Sequence, residues 1–177
     1  MRKIIYDIAT TLDNFVARED RTVDGFIMEG QHAEEYIERI KEYDTVLMGK
    51  HTYEFGFSYG IEPGEPAYPN MMNYVFSRST HYPTDKGIKV IRDNQISFIE
   101  ELKQTPGSDI WLCGAGTFAG FLLDHQLIDQ LILKVNPIMF GKGISLFGDI
   151  RKELELSLIN SKTYENGVIL QCYDIKY

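Results

Sequence analysis

A chain of 177 residues is long enough to bury about 70% of its unfolded surface in one core, so neither disulfides nor a metal are needed to hold it. Its 44% hydrophobic, 25% charged and 12% aromatic residues exclude a disordered chain. A formal net charge of −8 without a Lys/Arg cluster excludes binding to nucleic acid through phosphate neutralisation, so any anionic ligand needs a local positive site.

Met1-Arg-Lys is followed by only two apolar residues before Tyr6 and Asp7. That is no signal-peptide core, and no run of about 18 apolar residues follows, so the expectation is a cytoplasmic protein. Residues 3–11 form a β-rich apolar run that resumes at 15–17, and Asn14 in the break suits a turn with left-handed backbone angles. Over residues 31–41, Ala33, Tyr36, Ile37 and Ile40 recur at helical spacing between acidic residues. His32, Glu34 and Glu35 share that helix, but no second His stands at ligand spacing; the reading is a solvated face and no metal.

Residues 44–49 read as a buried strand that ends at Gly49, and Lys50-His51-Thr52 opens a helical turn. Residues 56–70 hold Pro63, Pro66 and Pro69 with three glycines, a long surface loop with the composition of a lid. Residues 73–77 and 88–91 return to strand, separated by exposed loop from Arg78 to His81, and residues 96–103 form a helix that stops before Pro106-Gly107.

Residues 109–113 are a short buried strand. Gly114, Ala115 and Gly116 then turn the chain, and Thr117 is placed to cap a helix whose apolar face is Phe118, Phe121 and Leu122. A strand, a glycine turn and a helix N-terminus in that order form an anion site, because free backbone N–H groups and the helix dipole point at one spot. Residues 138–147 are a glycine-punctuated loop expected to reach toward the sheet edge, and Asn166-Gly167 marks a terminal β-hairpin. Cys113 and Cys172 lack Cys-x-x-Cys spacing and read as buried and reduced, while His81 and His125 read as surface residues.

Strands interleaved with about four helices, closing on an antiparallel hairpin, point to one α/β domain over residues 1–177 with a mostly parallel central sheet. In such sheets ligands bind outside the carboxyl ends of the strands, where the Gly49 and Gly114 junctions meet if their strands are parallel.

Several motifs in fixed order carry a resemblance over nearly the whole chain. Met48-Gly-Lys-His-Thr-Tyr-Glu54 resembles the Met-Gly-Arg-x-Thr-x-Glu segment of dihydrofolate reductases. Gly114, Leu127-Ile-Asp-Gln-Leu131 and the run from Pro137 to Phe147 resemble the C-terminal reductase domain of bacterial riboflavin-biosynthesis enzymes. Leu12-Asp13 is similar to that family's early Leu-Asp-Gly, and the strand end at Tyr74-Val-Phe-Ser-Arg78 to its Val-x-Ser-Arg.

The resemblance implies a dihydrofolate-reductase-like fold with bound NADPH. It sets Ala9 and Val16 at the nicotinamide carboxamide and Gly49, Lys50, His51 and Thr52 at the phosphates. Ser77, Arg78 and Ser79 would surround the adenosine 2′-phosphate. Gly114, Ala115, Gly116, Thr117 and Phe118 would wrap the pyrophosphate and nicotinamide ribose, with Asp13 beside the substrate. The chain departs from the family at Asn14 for Gly, at Gln130 for Glu and at Ala115 for the second Gly, where the resemblance implies a cis Gly114–Ala115 bond.

The leading expectation is an NADPH-dependent reductase of a small heterocycle, a pterin or an aminopyrimidine. Glu29, Glu34, Glu35 and Glu38 are candidate proton donors without a matching motif. The alternative is a non-catalytic nucleotide- or metabolite-binding module of the same fold, and either function is compatible with a homodimer; a third option is a purely structural dimer.

Overall fold

Short strands that are apolar on both sides must be covered on both faces, which favours parallel pairing with helices above and below the sheet. The computed structural model describes residues 1–114, 116–150 and 152–177; the expected cis bond to Ala115 lies outside the described residues. In chain order the elements are β1 (Ile4–Thr11), β2 (Phe15–Ala17), α1 (Gln31–Ile40), β3 (Thr45–Gly49), α2 (Lys50–Phe55), β4 (Met72–Phe76), β5 (Ile88–Ile91), α3 (Gln95–Gln104), β6 (Ile110–Cys113), α4 (Thr117–Asp124), β7 (Gln130–Asn136), β8 (Ile144–Ser145), β9 (Glu155–Thr163) and β10 (Ile169–Lys176).

Eight strands make one sheet in the order β5-β4-β3-β6-β1-β7-β10-β9, and β2 pairs with β8 in a small second sheet. All pairs from β5 to β7 are parallel, and β10 is antiparallel to both β7 and β9. On one face Ile4, Tyr6, Leu47 and Leu112 pack against Ile99 of α3 and Ala119 and Leu122 of α4. On the other, Ile5, Val46, Met48 and Trp111 meet Tyr36 and Ile40 of α1 and Tyr53 of α2.

Three expectations change. Ile37, placed by spacing on the buried side of α1, is exposed, and His32 is buried. The helix turns a polar stripe to the sheet, with His32 Nε2 at 2.9 Å from the Ile27 carbonyl and Arg39 at 2.6 Å from the buried Asp7 carboxylate. The loop with lid-like composition is fastened to the core: the Tyr53 hydroxyl donates to Glu65 O and accepts from Gly64 N, each at 2.8 Å, and Asn73 Nδ2 donates to Tyr68 O and Met71 O. Finally, the segment after Pro137 does not run to the sheet edge. Through β8 it crosses the carboxyl ends of the strands, where Leu146 O accepts from Gly116 N at 3.3 Å.

The hairpin joining β9 and β10 also secures α1. Glu35 accepts from Lys162 Nζ at 2.6 Å and from the Tyr164 hydroxyl at 2.7 Å, and these bonds hold its carboxyl down to about 2. At the opposite, amino end of the sheet, Asp129 Oδ2 accepts the Ile4 N–H at 2.6 Å and the Lys103 ammonium at 2.7 Å. Lys103 is buried, so the Asp within the Leu-Ile-Asp-Gln-Leu motif locks β1, β7 and α3 together.

Asp129→Ala strands that buried ammonium and should cost about 3–5 kcal/mol in urea denaturation; a loss below about 1 kcal/mol would show that Lys103 finds water instead. Glu35 has a lowered folded-state pKa, so its contribution is complete above the unfolded value near 4.5 and is lost as pH falls toward 2. Glu35→Gln should therefore lower the melting temperature at pH 7, and the gap from the parent should close between pH 4.5 and pH 2. A gap independent of pH would refute this linkage.

Candidate functional site

The register sets the site. Met48 pairs with Cys113 and Gly49 with Phe76, so the junctions after β3, β4 and β6 open side by side on one rim of the sheet. There the starts of α2 and α4 touch. A Cβ on Gly49 would stand 3.3 Å from the Phe118 Cβ, and one on Gly114, whose φ is 106°, would collide with the Thr52 hydroxyl. The approach at Gly114 requires glycine, and the one at Gly49 is tight enough that a side chain would have to displace Phe118 by a few tenths of an ångström.

Gly116, with φ of 67°, precedes α4 as its cap residue; Thr117 is the exposed first helical residue and makes no capping bond. The expected Thr cap is absent: the cap residue is a glycine with no side-chain hydrogen bond, which leaves the first N–H groups of α4 unsatisfied at the rim. Phe118 stacks on Phe76 at 4.8 Å between ring centroids, closing the floor between β4 and α4.

Cations gather on this rim although the whole chain is acidic. Lys50 Nζ lies 3.7 Å from Glu54, and His51 Nδ1 lies 3.5 Å from Glu54 and 3.0 Å from the Arg21 guanidinium. Sequence reasoning missed Arg21, which reaches α2 from a turn at φ of 71°.

Ser77 is buried at the end of β4, where its Oγ accepts from Thr80 N at 3.2 Å, and Arg78 and Ser79 are exposed beside it. Phe76 pairs with Ile91, which brings Arg92 level with Ser77. The Arg92 Nε is buried with no hydrogen-bond partner among the described residues. Arg92 was also missed, though its signal was available: it is the first residue past a strand that parallels the Ser77 strand.

The remaining predicted residues separate. Ala9 is half-buried on the α1 face of β1, while Val16 is buried against the α3/α4 core cluster. Asp13 is occupied as a loop clasp: its carboxylate accepts from the Thr11 hydroxyl at 2.5 Å, from Phe140 N at 3.1 Å and from Gly141 N at 2.7 Å. Asn14 is left-handed at φ of 63°, as its turn requires. Among the acidic candidates on and before α1, Glu29, Glu34 and Glu38 are exposed and Glu35 is tied to the hairpin. No described group of His, Cys, Asp and Glu is arranged to hold a metal, and no described helix is long and apolar enough to cross a membrane.

A family model described as the RibD C-terminal domain matches residues 2–170. The uncharacterized protein YwjB of Bacillus subtilis is 31% identical over 172 residues, covering 96% of this chain and 96% of its own. Among solved structures, a Shewanella sp. PV-4 protein proposed to act in riboflavin biosynthesis superposes with a TM-score of 0.82 at 21% identity over 100% of both chains. Dihydrofolate reductase from Enterococcus faecalis, complexed with NADP(H), superposes with a TM-score of 0.69 at 14% identity over 99% of this chain and 97% of its own. The two superpositions carry the fold, an α/β architecture of the dihydrofolate-reductase type, which the order of the motifs had implied.

Proposed function

The chain belongs to the RibD C-terminal domain family, and on that premise we propose that it is an NADPH-dependent reductase of a small heterocycle, of the pterin or aminopyrimidine kind. The observation that carries the reading is the contact of two strand-to-helix junctions, Gly49 against Phe118 and Gly114 against Thr52, on a rim lined with cations. Such a rim suits an extended dianionic ligand better than a compact one.

In this reading the N–H groups at the start of α4, with Lys50, His51 and Thr52, hold the pyrophosphate. Each helix-end contact is worth about 0.3–1 kcal/mol and each charge-assisted hydrogen bond about 1.5–3 kcal/mol. Ser77, Arg78 and Ser79 receive the 2′-phosphate, and Arg92 joins them, because its unpartnered Nε needs an acceptor. Ala9, small and on the α1 face, leaves room for the nicotinamide carboxamide, and Phe118 backs the ribose. Once bound, the dihydronicotinamide supplies hydride to the acceptor carbon of a C=N or C=O bond. The chain aligns that carbon with the donor and keeps water away.

The same reading makes the protein a homodimer. Leu156, Leu158 and Ile159 form an exposed apolar row on the edge strand β9, and a second copy is the partner that would cover it. Sedimentation equilibrium that returns a single-chain mass at micromolar concentration would remove the dimer.

Cofactor binding is read by quenching of Trp111, which lies three positions before Gly114. Arg78→Ala and Arg92→Ala should each weaken NADPH about tenfold, one charge-assisted bond, and leave NADH unchanged. Lys50→Ala should weaken both cofactors. Unaltered NADPH preference in both arginine variants would remove the 2′-phosphate assignment. The absence of both quenching and thermal protection at millimolar NADPH would remove the reductase reading.

A further inference from the structure

Beneath α1, just inside the rim, the sheet carries a buried group of charges that cofactor binding does not use. Asp7 is 1% exposed and Lys134 7% exposed. Arg39 takes both Asp7 oxygens, Nε at 2.6 Å and Nη2 at 3.3 Å, so that pair is satisfied. Lys134 is not. Its Nζ lies 3.9 Å from Asp7 Oδ1, beyond hydrogen-bonding reach, and 3.0 Å from the centroid of the Tyr36 ring. Among the described residues its three N–H donors have no acceptor.

One Asp and two cations leave this cluster with one uncompensated positive charge in a place where a bare ammonium is costly. Burial pushes Lys134 down to about 8 against the opposing pull of Asp7, with the Arg39 charge adding to the fall and the Cys113 thiol of β6, beyond β1, opposing it. The Tyr36 ring face compensates part of the charge, but the N–H donors still lack a hydrogen-bond acceptor, and such a group gives up a proton readily near neutral pH.

Register says where the partner stands. Lys134 is the β7 partner of Ala9 on β1, and side chains at paired positions of parallel strands leave the sheet on the same face. The Lys134 side chain therefore leaves the sheet beside the half-buried Ala9, and Ala9 is the residue assigned to the nicotinamide end of the cofactor.

We propose that Lys134 meets the heteroatom of the substrate's reducible bond, donating a hydrogen bond to a carbonyl oxygen or imine nitrogen and passing it a proton as hydride reaches the adjacent carbon. This rests on the reductase reading above. The step balances: the acceptor C=O or C=N gains hydride at carbon and a proton at the heteroatom, the dihydronicotinamide is oxidised to nicotinamide, and one N–H bond of Lys134 breaks. Water then returns the proton to the Lys134 amine. Asp7 acts as a positioning residue whose negative charge favours the protonated ammonium, and Arg39 fixes the Asp7 carboxylate in place while its own charge opposes that protonation. The carboxylates of α1 have no part, in keeping with their exposure or their bond to the hairpin.

The test uses Lys134→Met, which removes the charge and keeps the stem, with 5,6-diaminouracil as a carbonyl-bearing probe and 2,4,6-triaminopyrimidine as a ring of the same size without carbonyls. Because Lys134 makes no hydrogen bond in the protein, the variant should melt no lower than the parent, and its NADPH affinity by Trp111 quenching should stay within twofold. Calorimetry with NADP+ present should show the diaminouracil weakened at least tenfold in the variant and the triaminopyrimidine unaffected. In ε-13C-lysine spectra of the parent, one lysine should titrate near pH 8, move when diaminouracil binds, and be missing from the variant. A fall in melting temperature of more than about 5 °C would make Lys134 structural and overturn the proposal. So would equal diaminouracil affinity in the two proteins, or no diaminouracil binding to the parent at millimolar concentration. If NADPH itself fails to bind the parent, the reductase reading falls and this proposal with it; if NADPH binds and only the lysine results fail, the reading stands and Lys134 is removed from it.

Discussion

Two helices begin in steric contact at the rim of the sheet, and the rest of the site follows from how closely they approach. Gly49 lies against Phe118 and Gly114 against Thr52, so the second junction has no room for a side chain and the first has little. The restriction continues behind α4. A Cβ on Gly120 would run into the carbonyl of Phe147, and one on Gly148 would lie 3.3 Å from the Thr117 backbone. The helix is thus held against the backbone of residues 147–148, its first N–H groups fixed in direction before any ligand binds. Preorganised donors of this kind spend little on reorganisation when an anion arrives.

Charge is arranged against the bulk average. The chain is acidic overall, yet Lys50, Arg21, Arg78 and Arg92 lie along the rim, while α1 displays Glu34 and Glu38 outward. An acidic exterior around a basic rim focuses the field on the rim and discourages polyanions that need a broad positive surface. Inside the sheet the sign is positive again at Lys134. The polar stripe of α1 is the physical link between the two regions, because Arg39 can neutralise Asp7 only if the helix gives its buried side to charge rather than to Ile37.

Much of this was legible in the sequence because it is local. The glycine junctions, the helix over residues 31–41, the terminal hairpin and the parallel order of the strands all rest on spacing within a few residues or on the alternation of elements. Even the hairpin shows the limit of local rules: Gly167 alone of the Asn-Gly pair is left-handed, at φ of 85°, so the turn carries a bulge glycine and not the two-residue form. What was hidden depends on pairing across the sheet. Asp7 with Arg39, Lys134 with Ala9, Arg92 with Ser77 and Asp129 with Lys103 are distant in sequence and become neighbours only through register. The bonds of the Asp13 carboxylate to Phe140 N and Gly141 N were hidden in the same way, because the loop that supplies them lies far along the chain.

The central place of β1 has a consequence for synthesis. Ile4 bonds to Asp129, 125 positions later, and β1 finds its two flanking strands only in β6 and β7. At roughly 5–20 residues per second, the first strand emerges from the ribosome and waits about 5–20 seconds before either neighbour exists. During that interval Ile4, Ile5 and Tyr6 are apolar side chains with nothing to cover them, and Asp7 precedes its Arg39 partner without a sheet to hold either. The rim at the carboxyl ends of the strands therefore comes into being late, once β6 and β7 have been made.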